Sequence, residues 1–100
     1  MLVDDRRLRA LREEVGDDGY DEVVALFLAE SDEVMDRLAG SSEGGVPVAE
    51  LHFLKGIALN LAFDALAALC QKGERGEGFD PAALRRVYDE TRLEMEGLGV

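Results

Sequence analysis

With 22 acidic against 11 basic side chains in 100 residues, the chain carries a net charge of -11, and no basic stripe offsets it. Such a surface repels nucleic-acid backbones and anionic membranes alike, so neither is expected as a partner. A hydrophobic content of 47% over this length suits one core, and therefore a single domain over residues 1–100.

Cys70 is the only cysteine and His52 the only histidine, which excludes an intrachain disulfide and leaves a His/Cys metal cluster without ligands. No metal or cofactor of the chain's own is expected, and Cys70 reads as a small buried hydrophobe. The start Met1-Leu2-Val3-Asp4-Asp5-Arg6-Arg7 lacks the apolar run of a signal peptide, and no segment is long enough to span a bilayer. A cytoplasmic protein is the expectation.

Every segment between turn signals is helical in period. Leu8, Leu11 and Val15 define a short first helix ending near Gly16, with Arg6, Arg7, Arg9 and Arg12 on its polar side. The spacing of Tyr20, Val24, Phe27, Ser31, Val34 and Leu38 predicts a second helix over residues 20–38 with one continuous buried stripe. The run Gly40-Ser41-Ser42-Glu43-Gly44-Gly45 breaks it.

Pro47 suits the first turn of a third helix, where a missing N–H costs nothing. That helix is expected to reach about Phe63 or beyond, with Leu51, Leu54, Ala58, Leu61 and Ala65 as its core. A fourth stretch from Asp64 carries Leu66, Leu69 and Cys70; the pattern leaves open a kink at Ala62-Phe63-Asp64. Gly73, Gly76 and Gly78 mark a loop. Asp80-Pro81 then opens the last helix as N-cap carboxylate and first-turn proline, with Leu84, Val87, Tyr88, Thr91, Met95 and Leu98 on one side. No strand-like alternation occurs. Amphipathic helices joined by short polar loops must bury their stripes on one another, so the expected fold is all-α: an antiparallel four-helix bundle with a short extra N-terminal helix.

On a wheel of about 100° per residue, Leu51, Leu54, Ala58, Leu61 and Ala65 cluster on one side and His52 falls roughly 150° away. The outward side also takes Val48, Lys55, Gly56, Leu59 and Phe63. A helix-interior glycine costs about 1 kcal/mol relative to alanine, so Gly56 needs a reason, and close approach of another protein's backbone is one. Val48, Leu59 and Phe63 are expected to supply the apolar part of that docking surface. Imidazole titrates near neutrality as a residue type and its neutral form is a nucleophile, while Lys55 would offset negative charge placed on the ring. Set against this is the plainer reading, in which the histidine is incidental and the first helix or a loop covers the apolar residues.

The run His52-Phe53-Leu54-Lys55-Gly56-Ile57-Ala58-Leu59-Asn60-Leu61-Ala62 resembles the motif of the histidine-containing phosphotransfer (HPt) domain family. In that motif a histidine is followed by x-Leu-Lys-Gly, two small residues, two variable ones, and Leu-Gly. His52, Leu54, Lys55, Gly56 and Leu61 match; Ile57 stands for a small polar residue and Ala62 for the glycine. The likeness extends over nearly the whole chain, with Phe27-Leu28-Ala29-Glu30 resembling the helix before the motif and residues 65–70 the helix after it.

The resemblance implies a carrier without catalytic activity of its own. His52 would take a phosphoryl group, on Nε2, from a receiver-domain aspartate and pass it to another. Lys55 would stabilise the phosphoryl oxygens, Gly56 would admit the partner, and Val48, Leu59, Asn60 and Phe63 would contact it. The implied partners are response-regulator receiver domains or a hybrid histidine kinase, with Mg2+ held on the receiver and the carrier a monomer.

Other classes fit less well. A histidine-kinase dimerisation domain usually has an acidic residue directly after its histidine, where this chain has Phe53, and 100 residues leave no room for an ATP site. The glycine-rich run Gly73-Glu74-Arg75-Gly76-Glu77-Gly78 lacks the lysine and hydroxyl of a phosphate loop. No serine or cysteine nucleophile pairs with His52 in a hydrolase pattern. The main rival is an interaction module of the same fold that binds a receiver, or another partner, without phosphotransfer.

Overall fold

Apolar periodicity becomes four helical runs: α1 (Asp5–Ala39), α2 (Val48–Asn60), α3 (Asp64–Glu74) and α4 (Pro81–Gly97). They belong to a computed structural model that describes residues 1–39 and 47–98, and no strand occurs among the described residues. None of these helices is long and apolar enough to cross a membrane. The loop expected over Gly40-Ser41-Ser42-Glu43-Gly44-Gly45 lies outside the described residues.

The long run α1 is kinked where the sequence signals a stop. Gly16 takes φ 79° and ψ 165°, a non-helical conformation open to glycine and strained for residues with a Cβ. Beyond it, Tyr20, Val24, Ser31, Val34 and Leu38 are buried as the stripe requires, and Phe27 is half-buried. Ser31 is tolerated there because its hydroxyl bonds to the Leu28 carbonyl at 3.0 Å and to the Tyr88 hydroxyl of α4 at 2.8 Å. Before the kink, Leu8 is buried, Leu11 half-buried and Val15 exposed.

The helix α4 starts as its sequence dictates: the Ala82 N–H donates to Asp80 Oδ1 at 3.0 Å, and Pro81 sits in the first turn. Pro47 differs slightly from expectation. It occupies the N-cap position of α2, one residue outside the helix. Gly73, expected in a loop, lies buried near the end of α3, where an added Cβ would come within 2.6 Å of Leu51 Cδ1. The glycine is what lets α3 press against α2.

The largest departure concerns where α2 stops. The helix ends at Asn60, short of the expected Phe63, and Ala62 carries a positive φ of 60°. The Phe63 N–H reaches back to the Ala58 carbonyl at 2.8 Å and the Ala62 N–H to the Leu59 carbonyl at 3.4 Å, the paired 6→1 and 5→2 bonds of a Schellman ending. Ala65 consequently belongs to α3, half-buried, and not to the core side of α2. After this turn α3 folds back along α2, and its far end meets the beginning of α2. Leu51, Leu54, Leu61, Leu66 and Tyr88 fill the shared core, each buried leucine contributing about 1.5–3 kcal/mol.

Candidate functional site

His52 stands on the exposed side of α2 with 72% of its side chain accessible. Its Nδ1 lies 2.7 Å from Oε1 of Glu74, the last residue of α3. The other oxygen of the same carboxylate, Oε2, lies 2.7 Å from the Lys55 ammonium. One carboxylate therefore joins the imidazole to the lysine one turn further along α2.

The hydrogen bond from Lys55, helped by that from His52, holds the Glu74 carboxyl below the ordinary carboxylate range against the opposing effect of partial desolvation. Glu74 is thus ionised at neutral pH and can only accept. The neutral imidazole must then donate from Nδ1, which leaves the lone pair on Nε2. Because the folded-state pKa of Glu74 lies below that of the unfolded chain, this pairing stabilises the fold above the ordinary carboxylate range. The stabilisation disappears as pH falls through the folded value. The melting-temperature advantage of the wild type over Glu74→Gln, present at about pH 6, should shrink as pH falls below the ordinary carboxylate range and through the lower folded-state value. A pH-independent difference in thermal melts would show that the pairing is not formed.

Beneath the pair, Cys70 is fully buried, and its thiol is pushed up to about 12, mainly by burial and further by the Glu74 charge. It is unreactive at neutral pH and packs as a small hydrophobe. Among the described residues, no group of three or more His, Cys, Asp or Glu side chains is arranged to hold a metal ion.

Around His52 the surface is partly apolar. Val48 and Leu59 are 49% and 50% exposed, and Phe53 is exposed further round the same helix, on the side of Gly56 and Asn60. Gly56 is exposed, and a Cβ built there would meet nothing within 4 Å, so no contact within the described structure demands a glycine. Asn60 is exposed, with its Nδ2 donating to the Gly56 carbonyl at 2.9 Å.

Phe63 corrects the expectation. Placed on the outward stripe by extending the helical wheel, it is 1% exposed and part of the core. The wheel fails because the chain leaves the helix after Asn60, and the left-handed turn at Ala62 swings the next side chain inward.

Glu74, conversely, escaped the sequence reading. Its signal was a matter of register: His52 lies eleven positions before Phe63 and Glu74 eleven after it, so a hairpin turning at Phe63 brings them level. That symmetry becomes visible only once the turn is known. No protein-family model, curated protein or solved structure matches this chain.

Proposed function

We propose that the protein is a phosphoryl carrier, accepting the group on His52 from a receiver-domain aspartate and returning it to another. The observation that carries this reading is the exposed imidazole anchored through Nδ1 to Glu74, with Nε2 left as the nucleophile. In the forward step the Nε2 lone pair attacks phosphorus in line, and the bond between phosphorus and the aspartyl oxygen breaks. The carboxylate departs with the electron pair. No proton needs to leave the ring. The phosphorylated imidazole becomes cationic, and the Glu74 carboxylate on its Nδ1–H side stabilises that charge. Lys55, 22% exposed and tethered to the same carboxylate, adds positive charge for the phosphoryl oxygens. Any Mg2+ that neutralises charge in the transfer belongs to the receiver.

The fold that accompanies this reading is an antiparallel four-helix bundle. It comprises residues 17–39 with α2, α3 and α4, and residues 5–15 form a short extra helix before the Gly16 kink. The docking surface is Val48, Leu59 and Asn60 with Phe53 added and Phe63 removed, and the partner's backbone approaches over Gly56.

The test is incubation with a phosphorylated receiver domain and Mg2+, followed by intact mass measurement. A phosphate-sized gain that is acid-labile, base-stable and mapped to His52 supports the carrier. Receivers that bind without transferring identify an interaction module instead.

Gly56 separates partner approach from folding. Because nothing crowds the position and it lies within a helix, Gly56→Ala should stabilise the protein by about 0.5–1 kcal/mol in urea unfolding. The same methyl should slow phosphoryl transfer from a receiver. Faster or unchanged transfer in the stabilised variant would remove Gly56 from the docking surface.

A further inference from the structure

The end of the histidine helix is held in place by the N-terminal segment. α2 stops at a left-handed residue that is alanine, a conformation costing an L-residue roughly 1–2 kcal/mol, so other contacts must secure the turn. Two come from the chain's beginning. The Asp4 N–H donates to the Ala62 carbonyl at 2.9 Å. Arg7 forks: Nη2 donates to the Leu59 carbonyl at 3.0 Å, and Nη1 lies 2.6 Å from Oδ1 of Asp64, the first residue of α3. One guanidinium thus spans the last turn of α2 and the first turn of α3. Its planar fork presents two separate nitrogens to the two acceptors, a geometry that the single ammonium of a lysine does not reproduce.

Both Arg7 and Asp64 are about half exposed, so their ion pair contributes little by charge alone. What it fixes is geometry. The carbonyl that Arg7 holds belongs to Leu59, whose exposed side chain lies on the docking surface beside Asn60. His52 sits two turns away and is oriented from Glu74, independently of this clamp.

We infer that Arg7 is a positioning residue for partner docking, setting the presentation of Leu59 and Asn60 while leaving the histidine's chemistry untouched; this rests on the carrier reading above. The geometry predicts a split in the kinetics. In single-turnover transfer from a phosphorylated receiver, Arg7→Ala should raise the half-saturating receiver concentration about fivefold and leave the saturating rate unchanged. Arg7→Lys should recover only part of the loss.

Loosening of the N-terminal segment in general is controlled by Glu94→Ala. That variant removes the carboxylate that accepts the Val3 N–H at 2.7 Å on the α4 side, and it should not shift half-saturation. If Arg7 acts through Leu59 and its neighbour Asn60, the losses of Arg7→Ala and Leu59→Ala should be less than additive in the double variant. Amide exchange over residues 58–63 should accelerate about tenfold in Arg7→Ala, with no change in residues 51–55. An unchanged half-saturation in Arg7→Ala, an equal response in Glu94→Ala, or strictly additive losses with Leu59→Ala would each overturn the assignment while the carrier reading stood. Absence of both transfer and receiver binding in the wild type would overturn the two together.

Discussion

On the proposed carrier function, His52→Gln should take up no phosphoryl group, a loss of more than about a thousandfold in transfer, yet keep its fold and its receiver affinity. Glutamine removes the ring lone pair, and no other imidazole exists in the chain to replace it. Its amide can still donate toward the Glu74 carboxylate, and the Lys55–Glu74 ion pair does not depend on the ring. A residue this exposed makes few packing contacts, so stability should change by no more than about 0.5 kcal/mol. Binding to an unphosphorylated receiver should stay within about threefold, because the proposed docking surface is formed by its neighbours. Calorimetry or surface capture, run beside the transfer assay, tests the separation. Transfer persisting in His52→Gln refutes the carrier; binding lost with transfer means that His52 is itself a docking contact.

Phe63→Ala should destabilise the protein by about 3–5 kcal/mol, the range for removing a fully buried phenylalanine. A domain of this size has about 5–15 kcal/mol in total, so the variant loses a large share of its stability. The melting temperature should fall by roughly 15 °C or more. The loss comes from the emptied core: the ring fills the space beneath the α2–α3 turn, while alanine keeps the backbone N–H that bonds the Ala58 carbonyl at 2.8 Å. An exposed docking residue at the same position would cost at most about 0.5 kcal/mol on truncation, so urea titration distinguishes the alternatives directly. A small effect would restore Phe63 to the surface and with it a longer α2.

The two residues also measure how far the sequence reading reaches. The buried stripe of α1, the capped start of α4 and the outward direction of His52 follow from local periodicity, and each appears where the spacing puts it. Phe63 and Glu74 do not follow. The turn between α2 and α3 lacks the glycine that usually announces a left-handed helix ending, and with Ala62 in its place the helical pattern reads straight through. Once the stop is missed, the wheel turns Phe63 outward, and the register that pairs Glu74 with His52 is hidden.

What the sequence by itself determined is what depends on neighbours within a turn or two: helical class, the buried face of each helix, the N-cap at Asp80, the kink at Gly16, and the outward placement of His52 and Gly56 with Lys55 half-buried between them. The tertiary structure decided the termination of α2, the burial of Phe63, the carboxylate that bridges His52 and Lys55, and the Arg7 clamp on the Leu59 carbonyl. The physical division is one of range. Hydrophobic period and capping act through bonds a few residues apart. A left-handed alanine, by contrast, persists because groups 52 to 58 positions away in the chain satisfy the carbonyls around it.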